Sequence, residues 1–197
     1  MRLSVIQQLT VLASLVLAAC VQHDQVHRVV VSVADQAMDV YAKNRLIGHY
    51  LISTSKYGIG DSPGTYRTPL GQLEIARKIG AGAPVGAVFK DRRPTGEVLV
   101  PDAPGRDPIV TRILWLKGLE SRNAGAFKRC IYIHGTPEER NIGRPASFGC
   151  IRMRSADIVR LFGTIGVGAK VEIVPGPLPE ATATPAIVSG SPNATGG

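Results

Sequence analysis

The chain has 197 residues, of which 44% are hydrophobic, 19% charged and 5% aromatic, and its formal net charge is +8. This length accommodates one ordinary domain, and so few charged residues exclude a long coiled coil or a charge-driven disordered chain. With three Cys, the chain is not a small fold held together by disulfides. The positive charge suits an anionic partner, and composition alone leaves nucleic acid, a membrane surface and an acidic polymer open.

The first residues have the pattern of an export signal. Arg2 precedes an apolar run over residues 11–19, which is shorter than the roughly 20 residues of a membrane span. Small residues end at Cys20, a pattern that resembles the lipobox of bacterial lipoproteins, so we expect residues 1–19 to be removed and Cys20 to carry lipid. No Asp follows at the second position, which by resemblance to Gram-negative sorting favours the outer membrane. An ordinary signal with Cys20 incidental is the alternative.

Both ends of the expected mature chain read as extensions of a folded domain. We expect residues 20–27 to be a lipid-anchored tether and residues 175–197 to be a flexible tail. The tail has one charged residue, Glu180, and is dominated by Pro, Ala, Thr, Ser and Gly, so it cannot bury enough surface to offset its ordering entropy. Residues 20–174 contain 22 Lys and Arg against 14 Asp and Glu. The basic character therefore belongs to the domain.

The domain begins with extended runs that are typical of antiparallel strands. Val-rich residues 29–33, alternating residues 37–42 and apolar residues 46–54 are joined by short polar turns, which predicts an antiparallel meander. Gly and Pro punctuate a loop over residues 56–68. Alternation over residues 71–78 predicts a further strand.

The second half of the domain combines one long connection with more strands and one helix. Residues 80–108 are rich in Gly and Pro, and a connection of this length is usually functional or mobile. Three apolar runs predict strands: residues 109–116, 130–133 and 171–174. A single helix is expected from Ser155, which can cap it, to Gly163, which can stop it. Together, these predicted elements indicate a mostly β domain.

His134 and Cys150 form the clearest catalytic pattern. They are 16 positions apart, on either side of a loop rich in Gly, Pro and charge that can fold back. A nucleophilic Cys needs a thiolate, and a nearby imidazole can accept the thiol proton. Gly149 lets the backbone come close and presents N–H groups to a developing oxyanion. These residues predict a Cys-His enzyme, and a buried structural Cys with a loop His is the alternative.

The residues around this pair resemble a known family. His134-Gly135-Thr136, followed by S-F-G-C-I-R-M from Ser147 onward, is similar to the signature of the L,D-transpeptidase (YkuD-type) catalytic domain, and the similarity extends over residues 28–174. The resemblance implies a mostly β fold, a β-sandwich of mixed sheets with one or two short helices and a Cys-His cleft. It implies acyl transfer on peptidoglycan stem peptides, with no metal ion or organic cofactor.

The resemblance also implies roles for single residues. Cys150 would be the nucleophile, His134 would accept and return its proton, and the backbone N–H groups of Gly149 and Cys150 are candidates for the oxyanion hole. Four residues are expected to bind substrate or to shape its site: Gly135, Ser147, Phe148 and Arg152. Many family members have His where this chain has Phe148. Any role of that His in orienting the loop or tuning the thiolate is therefore open in this chain.

The expected reaction begins with attack of Cys150 on the diaminopimelate carbonyl of a stem tetrapeptide, which releases D-Ala. An amine then takes the acyl group: another diaminopimelate side chain, the Lys of a wall-attached lipoprotein, or a free D-amino acid. Hydrolysis of the same thioester and a non-catalytic peptidoglycan-binding lipoprotein are the alternatives. The expected location is the periplasmic side of the cell envelope, with a lipid anchor in the outer membrane.

The remaining reactive and charged residues have two interpretations each. Cys130 is interpreted as a small buried residue rather than as a second reactive thiol. Several basic residues could face an acidic substrate or simply be solvated: Lys90, Arg92, Arg93, Arg140, Arg144 and Arg152. Few aromatic residues are interleaved with them, so nucleic acid is not an expected partner.

Overall fold

The computed structural model describes residues 23–179. The predicted signal, the lipidation of Cys20 and most of the predicted tail lie outside this part of the chain. The strands in chain order are β1 (His27–Ser32), β2 (Ala37–Ala42), β3 (Arg45–Leu51), β4 (Gly71–Ile79), β5 (Ala87–Lys90), β6 (Arg93–Val98), β7 (Ile109–Gly118), β8 (Tyr132–Gly135), β9 (Ile151–Met153) and β10 (Lys170–Val174). Within residues 23–179 there is one α-helix, α1 (Ser155–Thr164), and short 3-10 helices span Ser121–Asn123 and Glu139–Asn141.

The first three strands form the predicted meander. β1 pairs with β2 and β2 with β3, in both cases antiparallel, while β10 joins the other side of β1 in parallel orientation. Alternate side chains of a strand point to the same face, and Met38 and Val40 of β2 accordingly lie in the main core with Val29 and Val31 of β1. The alternation in the sequence therefore predicts β2 correctly, together with its core face.

β7 is the central strand and separates two apolar clusters. It pairs with β4, β5 and β8. Leu114 and Leu116 point into the main core, whereas Ile113 and Trp115 point to a second cluster with Tyr132 of β8. Burial of each such side chain contributes about 1.5–3 kcal/mol. This second cluster supports the strand that carries His134.

The sheet curls over until its two ends meet. The chain after β3 bridges β9, where Ser53 and Arg152 exchange backbone hydrogen bonds of 3.0 and 2.9 Å. Ser55 likewise forms a bridge with Ser147. One continuous mixed sheet thus encloses the core between two layers, which confirms the mostly β sandwich. The closure also places the loop of residues 56–68 beside the start of β9.

The segment of residues 80–108 differs from the expected single connection. It contains the hairpin of β5 and β6, whose strands pair antiparallel through a two-residue turn. β6 contains Pro94 and Gly96 and is largely exposed, so it shows neither the residue preference nor the alternation by which a strand is recognised. The hairpin is formed by pairing with β7, which local sequence does not reveal.

The helix begins where expected, but its cap differs. Arg154 is the N-cap residue and Ser155 is the first helical residue. The backbone N–H of Ser155 donates to the carboxylate of Glu139 at 2.8 Å, and the Ser155 hydroxyl pairs with that of Thr111 at 2.8 Å. The prediction of Ser155 as the cap is wrong because a carboxylate from a distant loop satisfies the helix N-terminus.

Residues beyond the predicted domain limits contact the domain. Asp24, in the predicted tether, accepts a hydrogen bond from the N–H of Gly166 at 2.6 Å. Gly176, in the predicted tail, accepts one from the Ser32 hydroxyl at 2.7 Å. Across residues 23–179, no helix has the length and apolar character that a membrane crossing requires.

Candidate active site

β8 and β9 bring His134 and Cys150 to one place. These strands are parallel neighbours in which His134 aligns with Arg152. Cys150 immediately precedes β9, and its side chain lies in the same apolar cluster as Tyr132, two residues before His134. The backbone N–H of Tyr132 points at Cys150 Sγ at 3.4 Å. The predicted pair therefore lies on one face of two adjacent strands, offset by two residues.

His134 is buried and its ring is oriented by the backbone. Its Nδ1 lies 2.8 Å from the carbonyl oxygen of Gly135. Since a carbonyl only accepts hydrogen bonds, Nδ1 carries the proton, and in the neutral ring Nε2 is the acceptor. Nε2 has no hydrogen-bond partner among residues 23–179. It is thus an unused acceptor, and the Cys150 thiol itself donates to the Cys130 carbonyl oxygen at 3.4 Å.

Burial sets the protonation states of both groups. Burial, reinforced by the positive charge of Arg152, lowers the pKa of His134 to about 4. Burial raises the pKa of the Cys150 thiol to about 11, although the N–H of Tyr132 and the charge of Arg152 oppose the change. At neutral pH the pair is therefore a thiol and a neutral imidazole. A nucleophilic role for this thiol would therefore require transfer of its proton to a base such as the neutral imidazole.

Ser147 and Gly149 hold the turn that presents Cys150. The hydroxyl of the buried Ser147 donates to the carbonyl of Cys150 at 2.6 Å and accepts from the N–H of Gly149 at 3.2 Å. Gly149 has φ +117°, where a Cβ would lie 3.3 Å from the Arg67 carbonyl oxygen, so the turn requires glycine. Ser147 thus contacts backbone rather than an open cleft.

The two candidate oxyanion donors differ in availability. The N–H of Gly149 is engaged by Ser147, whereas the N–H of Cys150 has no acceptor among the residues that the structure describes. The Cys150 N–H is therefore the donor that is free to bind a developing negative oxygen. The assignment of Gly149 to the oxyanion hole stays a prediction.

Gly135 and Arg152 are both buried beside His134. Arg152 forms an ion pair with Asp107, which also accepts a hydrogen bond from the Thr136 hydroxyl at 2.6 Å. These contacts support an ordering role for Arg152, because its guanidinium is already paired with a protein carboxylate. Gly135 lies within β8 rather than in a tight turn, and a Cβ there would lie 2.7 Å from the Val110 carbonyl oxygen. Its small size lets β8 pack against β7.

An exposed aromatic cluster forms the rim beside Cys150. The Phe148 residue is 52% exposed. Its ring centroid lies 5.7 Å from that of Tyr57 and 6.0 Å from that of Tyr66, and Lys56 Nζ lies 4.5 Å from it. A cleft of about 380 Å³ opens between Phe148 and Arg152. We call Tyr57, Tyr66 and Phe148 the aromatic rim.

Sequence reasoning found only one member of the aromatic rim. Tyr57 and Tyr66 belong to the loop of residues 56–68, whose Gly and Pro content indicates only a loop. An ion pair between Asp61 and Arg129, at 2.6 Å, ties this loop to the chain that leads into β8. No local signal connects these residues with Cys150, because the contact depends on the closure of the sheet.

Cys130 lies in the turn before β8 rather than in a regular strand. It has φ +57° and is half-buried, so it differs from the expected buried core residue. Its carbonyl oxygen accepts the Cys150 thiol at 3.4 Å, and its own Sγ lies 3.6 Å from Arg92 Nη1. The two thiols are not joined. Cys130 therefore contacts the Cys150 thiol through its backbone.

Comparison with known proteins gives one consistent result. The YkuD family, described as the L,D-transpeptidase catalytic domain, matches residues 26–173. The candidate L,D-transpeptidase YkuD of Bacillus licheniformis is 27% identical over 150 residues, which cover 76% of this chain and 66% of that protein. The candidate L,D-transpeptidase YqjB of Bacillus subtilis is 47% identical over 49 residues, 25% of this chain and 28% of that protein.

A solved structure has the same fold at low sequence identity. The L,D-transpeptidase from Xylanimonas cellulosilytica superposes with a TM-score of 0.50 and 14% identity, covering 78% of this chain and 62% of that one. The chain thus spans less than two thirds of the length of each of these three proteins.

Proposed function

Because the chain belongs to the L,D-transpeptidase (YkuD) catalytic domain family, we propose that it is a peptidoglycan L,D-transpeptidase with Cys150 as its nucleophile. The parallel register of β8 and β9 carries the proposal, since it puts the thiol and the free Nε2 of His134 on one face. The unpaired N–H of Cys150 supplies a donor for the oxyanion. Two relatives are named as candidates for the same activity.

The first half-reaction forms a thioester. Sγ of Cys150 bonds to the carbonyl carbon at the L-centre of diaminopimelate in a stem tetrapeptide, while Nε2 of His134 accepts the thiol proton. The N–H of Cys150 stabilises the negative oxygen of the tetrahedral intermediate. The bond to the D-Ala nitrogen then breaks, and this nitrogen takes the proton from His134 as D-Ala leaves.

The second half-reaction transfers the acyl group. An acceptor amine attacks the thioester carbonyl and gives a proton to His134. The carbon–sulfur bond breaks, the sulfur takes the proton back, and an amide is formed. A diaminopimelate side chain as acceptor gives a crosslink, a lipoprotein Lys gives protein attachment, and a D-amino acid gives exchange. Water in the same position makes the protein a carboxypeptidase.

Product analysis tests this function. The full chain is incubated with disaccharide tetrapeptides, and the products are identified by mass spectrometry. We expect D-Ala release with a crosslinked or exchanged product, and no product from Cys150→Ala. Cys130→Ala is the matched control and should keep the activity. D-Ala release without any transfer product would favour the hydrolase, and no release from a folded wild-type protein would favour the non-catalytic wall-binding lipoprotein.

We also propose that the chain is exported and anchored by lipid at Cys20. The support is the sequence pattern of residues 1–20. Export would also bring the chain to the compartment that contains peptidoglycan, its proposed substrate. Labelled palmitate fed to the expressing bacteria should enter the wild-type chain and not the Cys20→Ser variant. Equal labelling of both would contradict the anchor.

A further inference from the structure

Arg92 occupies an unusual backbone position. The turn between β5 and β6 consists of Asp91 and Arg92, with φ of 50° and 66°. Two-residue hairpin turns with both φ values positive favour Asn-Gly or Asp-Gly, because a Cβ is crowded in this conformation. Strained backbone of this kind persists where the surrounding contacts hold it, and it clusters at functional sites.

The Arg92 side chain lies over the apolar cluster against which Cys150 packs. Its guanidinium lies 4.9 Å from the Trp115 ring, and Nη1 lies 3.2 Å from the Tyr132 hydroxyl and 3.6 Å from Cys130 Sγ. Tyr132 and Cys130 are also the residues whose backbone contacts Cys150 Sγ, each at 3.4 Å. The guanidinium thus contacts the side chains of the two residues whose backbone atoms contact Cys150 Sγ.

The Arg92 charge has no neutralising partner in the part of the chain that the structure describes. Among residues 23–179 it forms no ion pair, and its Nε and Nη2 have no hydrogen-bond partner. The buried cations near the site differ, since Arg152 is paired with Asp107 and Arg129 with Asp61. A guanidinium fixed by an aromatic face and a hydroxyl, with free N–H groups, is suited to bind a carboxylate with two parallel hydrogen bonds.

We propose that Arg92 binds the C-terminal carboxylate of the acyl-donor peptide. This inference rests on the proposed transferase function, because it assigns to Arg92 the positioning of the acyl-donor peptide. In a stem tetrapeptide, the carboxylate of the terminal D-Ala is three bonds from the carbonyl carbon that Cys150 attacks. A carboxylate bound beside Tyr132 and Cys130 would thus hold that carbonyl close to Sγ. Arg92 would make the enzyme select peptides whose leaving residue is terminal.

Equilibrium binding tests the proposal without turnover. The full chain carrying Cys150→Ala is titrated calorimetrically with two synthetic tetrapeptides, one ending in a carboxylate and one in a carboxamide. We expect the carboxylate peptide to bind about 10- to 100-fold more tightly, as for a charge-assisted bidentate contact. Adding Arg92→Gln should abolish this preference, and Arg92→Lys should keep part of it. A preference that is absent from the start, or that survives Arg92→Gln, would overturn the proposal.

Arg93→Gln is the matched control. Arg93 is the next residue and is exposed, so its loss removes the same charge and should leave the carboxylate preference intact. In the active enzyme, Arg92→Gln should raise KM with little change in kcat, and a lowered kcat with unchanged KM would contradict a binding role. If the wild type binds the carboxylate selectively but releases no D-Ala, only the transferase proposal fails.

Discussion

Two groups of residues near Cys150, which we call its inner side and its outer side, differ in whether their polar atoms are already bonded within residues 23–179. On the inner side, His134, Ser147 and Arg152 are buried and are bonded to protein atoms. On the outer side, the aromatic rim is exposed and Arg92 has no carboxylate partner within the described residues. The inner side therefore fixes the geometry and the protonation states of Cys150 and His134. The outer side has aromatic faces and N–H groups that are free to bind a substrate.

The largest expected effect concerns the thiol on the inner side. Because burial raises the pKa of Cys150 to about 11, the thiol stays protonated at neutral pH and only the minor thiolate fraction reacts. The alkylation rate of Cys150 by iodoacetamide should rise about tenfold per pH unit from pH 6 to 9. Peptide mapping separates Cys150 from Cys130. A rate that is already constant between pH 6 and 7 would indicate a resting thiolate–imidazolium pair.

Breaking the buried ion pair should destabilise the inner side. Asp107→Asn leaves the Arg152 charge buried without a counter-ion, which costs about 3–5 kcal/mol of unfolding free energy. Urea denaturation measures the loss. The exposed pair of Arg160 and Asp157 provides the comparison, and Arg160→Gln should change stability by less than about 1 kcal/mol. A similar loss of unfolding free energy in both variants would mean that the buried pair of Asp107 and Arg152 matters no more for stability than an exposed pair.

Two glycines of the loop between His134 and Cys150 allow the effect of backbone strain on stability to be distinguished from its effect on catalysis. Gly149 and Gly143 have φ of +117° and +95°, but only at Gly149 would a Cβ meet neighbouring atoms. Replacement by Ala should cost about 1–2 kcal/mol of stability at each position. Only Gly149→Ala should also lower kcat, by about tenfold or more, because it shifts the turn that presents Cys150. Equal kcat values in the two variants would contradict that role.

The smallest effect is expected on the aromatic rim. Phe148→Ala removes a residue that is 52% exposed, so unfolding free energy should change by less than about 1 kcal/mol. If the rim contacts the substrate, KM should rise a few-fold, as is usual for the loss of one partly exposed aromatic contact. Phe148→His, which restores the commonest family residue, should keep the activity. An unchanged KM in Phe148→Ala would place the substrate away from the rim.

Sequence reasoning succeeded where a local pattern carries the information. β2 coincides with the predicted residues 37–42 because alternation and a polar turn define it. The pairing of His134 with Cys150 was predicted from residue types, and the parallel pairing of β8 with β9 agrees with it. The known family's signature supplied the rest of that prediction.

The contacts that the sequence does not predict join distant segments. Asp107 reaches Arg152, and Arg92 reaches Tyr132, only because the segment of residues 80–108 folds back along β7. β6 carries Pro94 and Gly96 instead of an alternating pattern, so nothing local indicates the hairpin. The same holds for Glu139, whose carboxylate serves the N-terminus of α1 from another loop.

Covalent trapping tests the central claim, that Cys150 is the acylated nucleophile. A carbapenem, whose strained β-lactam carbonyl acylates a nucleophilic thiol, is incubated with the wild type, Cys150→Ala and Cys130→Ala, and the adducts are located by intact-mass spectrometry and peptide mapping. We expect one adduct, on Cys150, in the wild type and in Cys130→Ala, and none in Cys150→Ala. An adduct on Cys130, or none on the folded wild-type protein, would contradict it.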